Sequence, residues 1–531
     1  YLRTLDDGTP AAGKFEAWPD RLDEFKLLDP CCGSGHFLVA AFLLLVPMRM
    51  AAEGLSAMDA VDAVLAENLH GLELDARCVE IAVFALALAA WRFPDENGDP
   101  LGVRADMPAP QVACCGLKVA AKPEDWMALV PVEATNAAYL RQELRLLHAS
   151  FAQAPLLGSL LDPARSLKND LARSSFDTLR DLLGRALATE RPATLWGQAS
   201  ELQDDSWDLA LTAKGLLDAA RLLDGRYHLV VTNVPYLARG RQLDALKDYC
   251  EGHYPEAKND LANVFLERCL ELSRDQGAGV VQIVMPQNWL FLTSYKKQRE
   301  SLLKSVQWNL LARLGEGGFD SPQAAGAFII LLTQTNTTPT VDSKLRGVEA
   351  SAPKGAQDKA ALLRQGVIVA VSQKGQLGNP DATVALGQLS SANLLRQAAV
   401  SIEGLSTGDG EQFLSTFWEV EWRQGVWEPF IQSVDATEPY GGRSEVVRWE
   451  RGTGALHSFP SAHNVPSEYM NGRQVLGKAG LRITQMRKLA CTFYGGEVFG
   501  KNGATVVPHD SKHLPALWCF ATSPEYGELV R

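Results

Sequence analysis

The alternation of apolar strands with apolar helices is the feature that most restricts the fold of this chain. The pattern predicts, in order, a strand at 25–28, a helix at 36–50, a strand at 69–74, a helix at 76–91 and a strand at 112–115. It resumes with a strand at 227–232 and continues to about residue 333. This rhythm predicts an α/β fold, in which a parallel sheet is covered by helices on both faces.

Changes in composition divide the 531 residues further. Residues 1–24 are polar and rich in turns, and we expect a lead-in there. Residues 120–222 are rich in Leu, Ala, Arg and Asp with helical spacing, which predicts a helical insertion inside an α/β domain spanning 25–340. We expect a linker at 341–400, because Thr, Ser, Pro, Asp and Gly are concentrated near its start, and a smaller mixed α/β domain at 401–531.

The charge and the cysteine content limit the classes of binding partner and the cellular compartment that we expect. The net charge of −12 argues against passive coating of nucleic acid, but residues 441–490 hold eight Lys or Arg and three Glu. That window is a candidate DNA-facing surface, although a solvated surface of uneven charge explains it equally well. The nine cysteines include two adjacent pairs and no Cys-x-x-Cys spacing, which indicates reduced thiols in a cytoplasmic protein and no metal site.

The apolar runs at 37–46 and 81–91 are too short to span a bilayer, so we expect no membrane segment. The chain starts at Tyr1 rather than Met, and we expect it to be a fragment of a longer protein. Three histidines lie in or beside apolar segments, where packing in the core is the simplest interpretation: His36, His70 and His228.

A glycine-rich turn, Asp29-Pro30-Cys31-Cys32-Gly33-Ser34-Gly35, follows the first strand. In open α/β sheets, ligands bind beyond the carboxyl ends of the strands, and Gly33 and Gly35 permit close backbone approach. Asp29 can accept hydrogen bonds from an ammonium group. The turn lacks the third glycine of the dinucleotide fingerprint and the Gly-Lys-Ser/Thr of a P-loop, which disfavours NAD and ATP. Taken alone, the turn is better explained as a simple entry into a helix, and the second strand adds weight to the ligand site.

The second predicted strand also ends in acidic residues, within Glu73-Leu74-Asp75. An acidic side chain at this place can bind the two hydroxyls of an adenosine ribose. We assign that role to Glu73, because a helix follows Asp75 at once and makes Asp75 a candidate N-cap.

The sequence Asn233-Val234-Pro235-Tyr236 comes directly after the predicted strand at 227–232. The Asn233 amide oxygen and the next backbone carbonyl can accept hydrogen bonds from both N–H groups of a planar amine. This arrangement directs the lone pair of the amine nitrogen toward an electrophilic methyl group. Pro235 stiffens the loop, and Tyr236 offers a flat face for an unstacked base. A structural Asn-x-Pro turn closed by a core tyrosine is the alternative. Together with the glycine-rich turn, the motif favours methyl transfer from S-adenosylmethionine to an exocyclic amine.

At these residues the chain resembles the adenine-N6 DNA methyltransferases of the gamma class. It is most similar to the large methylase subunits of type IIG restriction–modification and of BREX- or DISARM-type phage defence, the PglX-like proteins. Asn233–Tyr236 is similar to the family's catalytic Asn-Pro-Pro-Tyr motif, and Phe319 resembles the aromatic residue that packs against the extruded base. The resemblance implies this set of cofactor-binding residues: Asp29, Pro30, Cys32, Gly33, Gly35 and Glu73.

The resemblance also implies a fold, a cofactor and partners. Residues 25–340 would form a Rossmann-like S-adenosylmethionine-dependent methyltransferase domain, and residues 401–531 the start of a target-recognition domain. Double-stranded DNA and other subunits of a defence system are the implied partners. Candidate DNA contacts in the second domain are Arg443, Arg448, Arg473, Arg482 and Arg487. An aromatic core with a basic surface explains those arginines about equally well.

Three departures from the family pattern leave other functions open. Val234 replaces the usual first proline, Cys114-Cys115-Gly116 stands where an acid often binds the adenine of the cofactor, and no Asp…Glu-x-Lys nuclease site is found. The main hypothesis is a base-flipping DNA adenine-N6 methyltransferase. The alternatives are an RNA or protein-glutamine methyltransferase, and a catalytically inactive methyltransferase-like subunit that recognises DNA.

Overall fold

The computed structural model describes residues 4–11, 14–119, 122–128, 130, 137–166, 215, 218–319, 326–387, 394–407, 409–421, 425–458, 472–485 and 489–530. They belong to two compact units, Tyr1–Leu389 and Ser390–Arg531.

The first unit is built on a nine-stranded sheet with the strand order β3-β2-β1-β4-β5-β7-β6-β8-β9. Its strands are β1 (Leu27–Asp29), β2 (Leu69–Glu73), β3 (Gln111–Cys114), β4 (Leu229–Asn233), β5 (Val280–Pro286), β6 (Gln307–Gly315), β7 (Ile329–Thr335), β8 (Lys344–Glu349) and β9 (Ile368–Ser372).

Strands β1 to β5 all run parallel, whereas β7 is antiparallel to both β5 and β6. The carboxyl ends of β1, β4, β5 and β6 therefore lie along one edge of the sheet. The chain moves outward from β1 through β2 to β3 and then returns to β4 on the other side of β1. This reversal is a topological switch point, where open α/β sheets form their ligand crevice.

Helices pack on both faces of this sheet. In the part of the first unit that the structure describes, they are α1 (His36–Glu53), α2 (Ala57–Ala63), α3 (Ala76–Trp91), α4 (Pro123–Ala128), α5 (Ala137–Phe151), α6 (Ala154–Leu157), α7 (Pro163–Ser166), α8 (Asp244–His253), α9 (Leu261–Leu272), α10 (Lys296–Ser305), α11 (Ala356–Gln365) and α12 (Gln373–Gln376).

Successive residues of β1 face opposite sides of the sheet, as the period of two in a strand requires. Leu27 packs in a cluster with Phe42 of α1 and Ala82 of α3. Leu28 packs in a second cluster that includes Leu266 of α9. The strand is thus buried on both faces, which explains why its sequence reads as a continuous apolar run.

Helix α1 is bounded by two glycines in the left-handed region, Gly35 at its N-cap and Gly54 at its C-cap. By length and composition alone, this 18-residue helix could cross a membrane, a property that core helices share. The apolar segment is longer than the predicted run at 37–46 because it continues past Pro47, which lies inside the helix. Its inner side packs against the sheet through Leu38, Phe42 and Val46.

A pair of hydrogen bonds sets the register between β1 and β4. The Lys26 amide donates to Nδ1 of His228 at 3.0 Å, and the His228 amide donates to the Lys26 carbonyl at 2.9 Å. The ladder continues with Leu27 opposite Leu229. The ends of the two strands that carry the predicted motifs are therefore held side by side.

The predicted insertion at 120–222 is helical where it is described. It contains α4 to α7, and residues 218–224 are also helical. Residues 167–214 lie outside the described part of the chain. Arg268 of α9 is fully buried and binds the carbonyls of Ser159 and Leu161 at 3.1 and 2.8 Å, so the described end of the insertion is anchored to the main fold.

The predicted linker at 341–400 is wrong for most of its length. Strand β8 joins the main sheet in parallel with β6, and β9 pairs with β8. Helix α11 lies between them in the chain. The turn-forming residues that suggested a linker mark only the connection before β8, whereas Leu345 and Val348 of β8 are buried. The boundary of the first unit is at residue 389.

The second unit contains two four-stranded sheets, β10-β17-β14-β15 and β11-β13-β12-β16. Its strands are β10 (Ala399–Glu403), β11 (Leu414–Thr416), β12 (Trp427–Ile431), β13 (Glu445–Arg448), β14 (Gly480–Thr484), β15 (Cys491–Tyr494), β16 (Val498–Phe499) and β17 (Gly503–Pro508). Its described helices are α13 (Leu395–Ala398), α14 (Gly410–Phe413), α15 (Leu514–Ala521) and α16 (Pro524–Val530). The mixed α/β composition agrees with the prediction.

Candidate active site

The glycine-rich turn joins β1 to α1 at the switch point of the sheet. Gly33 and Gly35 have φ values of 52° and 85°, a region that favours glycine. A Cβ on Gly35 would also lie 3.1 Å from Ala82 of α3. The Cys32 amide donates to the Leu72 carbonyl at 3.0 Å, which ties the turn to β2. Both glycines therefore allow the backbone conformation of the turn, and Gly35 also allows the close packing of the start of α1 on α3.

Glu73 connects the two strand ends predicted to hold the cofactor. Its Oε2 accepts a 2.9 Å hydrogen bond from the Gly33 amide. Its Oε1 accepts hydrogen bonds from the amides of Leu74 and Asp75 at 2.7 and 3.1 Å. Asp75 caps α3 by accepting from the Arg77 amide, as the sequence predicted. The carboxylate of Glu73 is thus fixed beside the glycine turn, at the place predicted for a ribose-binding acid.

Asp29 is 1% exposed at the end of β1. Burial raises the pKa of Asp29 to about 7, although the Thr232 side chain and the Cys31 amide both act to lower it. The negative charge of nearby Glu73 raises the pKa further. A positively charged group bound here would favour the ionised carboxylate and lower this pKa. The local electrostatics therefore suit a cationic ligand.

The predicted amine-binding motif lies at the end of β4. Asn233 is the last residue of the strand and is exposed, and its Oδ1 accepts a 3.2 Å hydrogen bond from the Tyr236 hydroxyl. This contact orients the amide and leaves the oxygen a second lone pair for another donor. Val234, the departure from the family pattern, is 3% exposed and packs in the core. Its side chain therefore fills the interior, and Pro235 is exposed beside it.

Three aromatic residues from separate parts of the chain meet at this edge. Phe37, Tyr236 and Phe319 all pack against one apolar cluster, whose buried members are Val284, Leu314, Ile329 and Ala350. Phe37 follows the glycine turn, Tyr236 belongs to the amine motif, and Phe319 follows β6. The predicted stacking residues Tyr236 and Phe319 thus pack against the same cluster as Phe37, the residue that follows the glycine turn by two positions.

The loop after Tyr236 is held by the segment before α9. The Leu261 amide donates to the Leu237 carbonyl at 3.0 Å, and the Arg239 amide donates to the Asn259 carbonyl at 2.9 Å. Asp260 caps α9 by accepting from the Ala262 amide, as its position in the sequence suggested. Burial and the charge of Asp260 raise the pKa of the Tyr236 hydroxyl, which therefore stays protonated as a donor.

Sequence reasoning missed Ser159, which lies inside the predicted insertion. Its hydroxyl donates a 2.6 Å hydrogen bond to the carbonyl of Pro30 in the glycine turn. The preceding Gly158 lies close to Leu74 and Cys115, at the ends of β2 and β3. Ser159 follows a leucine-rich helical stretch with no motif around it, so the sequence contained no signal for this contact.

The predicted core histidines divide into two groups. His70 and His228 are buried, and burial lowers the pKa of each to about 4. His36 is exposed at the start of α1, where its Nδ1 lies 3.0 Å from the Ser34 hydroxyl, so the prediction of a core position is wrong for this residue. Its neighbours are apolar, but it occupies the outer side of the helix.

The predicted DNA contact of Arg482 is also wrong. This side chain is fully buried in the second unit and donates to the carbonyls of Gly500 and Gly503. Three other predicted arginines donate to acceptors inside the unit: Arg443 to Glu497, Arg448 to Glu450 and Arg473 to the Gly452 carbonyl. Arg487 lies outside the described residues. In the described part of the window 441–490, Arg482 is thus buried, whereas Arg451, Arg473 and Lys478 are exposed.

Comparison with known proteins agrees with this architecture. Residues 67–318 match the Eco57I restriction-modification methylase family. The adenine-specific methyltransferase PglX of Lacticaseibacillus casei (strain Zhang) is 23% identical over 94% of this chain and 42% of its own length. The adenine-specific methyltransferase BrxX of Escherichia coli O9:H4 (strain HS) is 27% identical over 56% of this chain and 24% of its own length.

A solved structure shows the same fold. The Type IIL restriction-modification enzyme MmeI superposes with a TM-score of 0.50 at 12% identity, over 94% of this chain and 58% of that chain. The chain spans less than half the length of the two relatives named above. Its large sheet is that of a Rossmann-like methyltransferase, as the sequence predicted. Residues 67–318 are therefore similar to the Eco57I restriction-modification methylases, and the chain is similar over most of its length to the adenine-specific methyltransferase PglX.

Proposed function

We propose that this chain is a DNA adenine-N6 methyltransferase that uses S-adenosylmethionine and acts in a restriction–modification or BREX-type phage-defence system in the cytoplasm. One observation carries the proposal: the glycine turn after β1 and the Asn233–Tyr236 motif after β4 lie on adjacent strand ends at the switch point. A methyl donor and a planar amine placed at these two ends would lie beside each other.

The residues of the glycine turn fit the proposed cofactor. The buried Asp29 carboxyl, with its pKa raised to about 7, suits a ligand that carries positive charge. Gly33 leaves room beside the backbone, Gly35 lets the turn pack closely against α3, and Glu73 places a carboxylate at the end of β2. When bound, S-adenosylmethionine supplies an activated methyl group on a positively charged sulfur.

The second half of the site would hold the adenine. Asn233 Oδ1 and the Val234 carbonyl accept hydrogen bonds from the two N–H groups of the amine, which directs the nitrogen lone pair away from the ring plane. Tyr236 and Phe319 supply flat surfaces for a base that has left the DNA stack, as adenine in a duplex must. Because the methyl donor is strongly activated, positioning by these groups supplies most of the acceleration.

Double-stranded DNA is the proposed substrate, and the second unit is the proposed start of a target-recognition domain. The structure of MmeI was solved in complex with DNA, and the described part of this chain has the same fold. PglX and BrxX are adenine-specific methyltransferases. Further defence-system subunits are proposed partners, since this chain covers only part of its relatives.

The test is methyl transfer by the 531-residue chain to unmethylated double-stranded DNA, with labelled S-adenosylmethionine and with Asn233→Ala as the matched variant. We expect label in N6-methyladenine, and a loss of about 100-fold or more in Asn233→Ala with cofactor affinity unchanged. Label found only in RNA or only in protein would overturn the DNA assignment. Cofactor binding without transfer to any acceptor would instead favour a recognition subunit.

A further inference from the structure

Lys359 is a buried ammonium group in α11, a helix of the segment that the sequence predicted to be a linker. The residue is 2% exposed. Its Nζ donates to the carbonyl oxygens of Leu314, Ala350 and Ser351, with distances of 3.2 and 3.4 Å for the last two. An ammonium group has three donors, so these three carbonyls match its full capacity. Because burying a charge is costly, such a matched set of acceptors marks a specific structural role.

The three carbonyls belong to two neighbouring strand ends. Leu314 is near the end of β6, and Ala350 and Ser351 follow β8 directly. Strands β6 and β8 run parallel and end at the edge of the sheet that carries the active-site loops. The Ala350 amide also donates to the Arg313 carbonyl at 2.8 Å. Lys359 therefore fastens the start of the loop after β6 to the segment after β8.

The loop after β6 is pressed against that segment over its next residues. Gly315 and Gly317 have φ values of 63° and 78°. A Cβ on Gly315 would lie 2.7 Å from Cβ of Ser351, and a Cβ on Gly317 would lie 2.4 Å from the Lys354 carbonyl. The two glycines thus allow a close backbone path that leads from Lys359 to Phe319.

Helix α11 also contributes to the cluster that surrounds Phe319. Leu362 and Leu363, one turn after Lys359, pack against the same buried residues as Phe37, Tyr236 and Phe319. One helix thus holds the backbone of the loop through Lys359 and supports its aromatic side chain through two leucines. In the described part of the chain, the hydrogen bonds of Lys359 go to the ends of β6 and β8 and not to the glycine turn.

We infer that α11 is the back wall of the base pocket and that Lys359 is a positioning residue, which holds the loop after β6 so that Phe319 can pack against the extruded adenine. The inference rests on the proposed function for the identity of the base. It assigns a role in substrate binding to a segment outside the predicted methyltransferase domain. Stacking on an aromatic residue changes the affinity for a base by about tenfold or more. Misplacement of Phe319 should therefore weaken DNA binding and leave the affinity for the cofactor unchanged.

The test compares Lys359→Met with Arg364→Met, an exposed position on the same helix. Lys359→Met keeps the apolar stem and removes the three donors. We expect the KM for DNA to rise about tenfold in Lys359→Met, with the Kd for S-adenosylmethionine within twofold of the unchanged chain. Arg364→Met should leave both constants within twofold. Lys359→Arg, which keeps a charged donor, should recover part of the DNA affinity.

A double-mutant cycle separates positioning from general destabilisation. If Lys359 acts through Phe319, Lys359→Met should add less than twofold to the loss already caused by Phe319→Ala. Fully additive losses, or an equal loss of cofactor affinity, would overturn the inference. Lys359→Gln, which keeps two donors, replaces the Met variant in the cycle if the latter does not fold.

Hydrogen exchange of peptides covering residues 314–319 tests the clamp without any substrate. We expect faster exchange in Lys359→Met than in Arg364→Met, whether or not methyl transfer is observed. Equal exchange in the two variants would overturn the inference, whereas absence of methyl transfer by the unchanged chain would count only against the proposed function.

Discussion

Arg268 donates its Nε proton to the carbonyl of Ser159 at 3.1 Å, and the Ser159 hydroxyl donates to the carbonyl of Pro30 at 2.6 Å. The chain of contacts runs from a fully buried guanidinium in α9, through the insertion, to the glycine turn. Residues 129 positions apart are thus joined directly at the proposed cofactor site. The insertion is a structural support of that turn.

Ser159→Ala should therefore weaken cofactor binding. Loss of one buried hydrogen bond costs about 0.5–1.5 kcal/mol, so we expect the Kd for S-adenosylmethionine to rise about two- to tenfold by calorimetry. Ser305→Ala, an exposed serine that bonds only within its own helix end in the described contacts, is the matched control. An unchanged Kd in Ser159→Ala would show that the turn keeps its position without this bond.

Tyr236 should make two separable contributions. Tyr236→Phe removes the 3.2 Å hydrogen bond to Asn233 and keeps the ring, so kcat should fall about two- to tenfold with the KM for DNA nearly unchanged. Tyr236→Ala removes the ring as well, and the KM for DNA should rise further because base stacking is worth about 1–3 kcal/mol. Steady-state kinetics on the two variants would contradict this division if Phe and Ala had the same effect.

Binding of a cationic cofactor should release a proton from Asp29. Its pKa of about 7 means that the carboxyl is mostly protonated at pH 6, and a bound positive charge favours ionisation. Calorimetry at pH 6 in two buffers of different ionisation enthalpy should show nearly one proton released by the unchanged chain. Asp29→Asn should release none, and equal release by both proteins would contradict the assignment.

Asp29 should also lower the stability of the cofactor-free protein at neutral pH. Its pKa is higher in the folded state than the ordinary value of 3.8, so the stability that it contributes falls as pH rises from about 4 to 7. Each pH unit in that window corresponds to about 1.4 kcal/mol. At pH 8, Asp29→Asn should therefore unfold at a higher urea concentration than the unchanged chain. The opposite order at pH 8 would show that the carboxylate is stabilised by its surroundings.

His228 should make folding sensitive to acid in the opposite direction. Its folded pKa of about 4 lies below the ordinary 6.5, so the unfolded chain binds more protons between these values and stability falls as pH drops. In addition, its Nδ1 must stay unprotonated to accept from the Lys26 amide. Urea unfolding between pH 7 and 4.5 should show a smaller loss of stability in His228→Phe than in the unchanged chain. Equal slopes would exclude this histidine as the cause.

The sequence predicted those parts of the site whose characteristic residues all lie within one short segment of the chain. Asp29–Gly35 and Asn233–Tyr236 each combine an apolar strand with polar or glycine residues at its carboxyl end, and the topology of a parallel sheet then brings such ends together. The strands β1 to β4 were predicted within about two residues for the same reason. Phe319 was found only through the resemblance to a family.

The parts that could not be predicted depend on contacts between distant segments. Ser159 and Lys359 bind backbone carbonyls, which every residue has, so the sequence holds no trace of their partners. Arg482 was misassigned because a buried arginine bound to carbonyls and an exposed arginine on DNA look alike in sequence. The composition of 341–400 likewise drew attention to its turns, whereas its two strands are short.

The two hydrogen bonds between Lys26 and His228 fix the alignment of β1 with β4 and therefore the relative positions of the two motifs at their ends. Asp29 lies three residues after Lys26, and Asn233 lies five residues after His228. A deletion of one residue inside either count would move a motif by about 3.3 Å along its strand and turn alternate side chains to the wrong face. The chain between β3 and β4 can vary in length without changing either count. Changes of length within the insertion therefore leave the spacing between Asp29 and Asn233 along the sheet unchanged, as long as Ser159 keeps its hydrogen bond to Pro30.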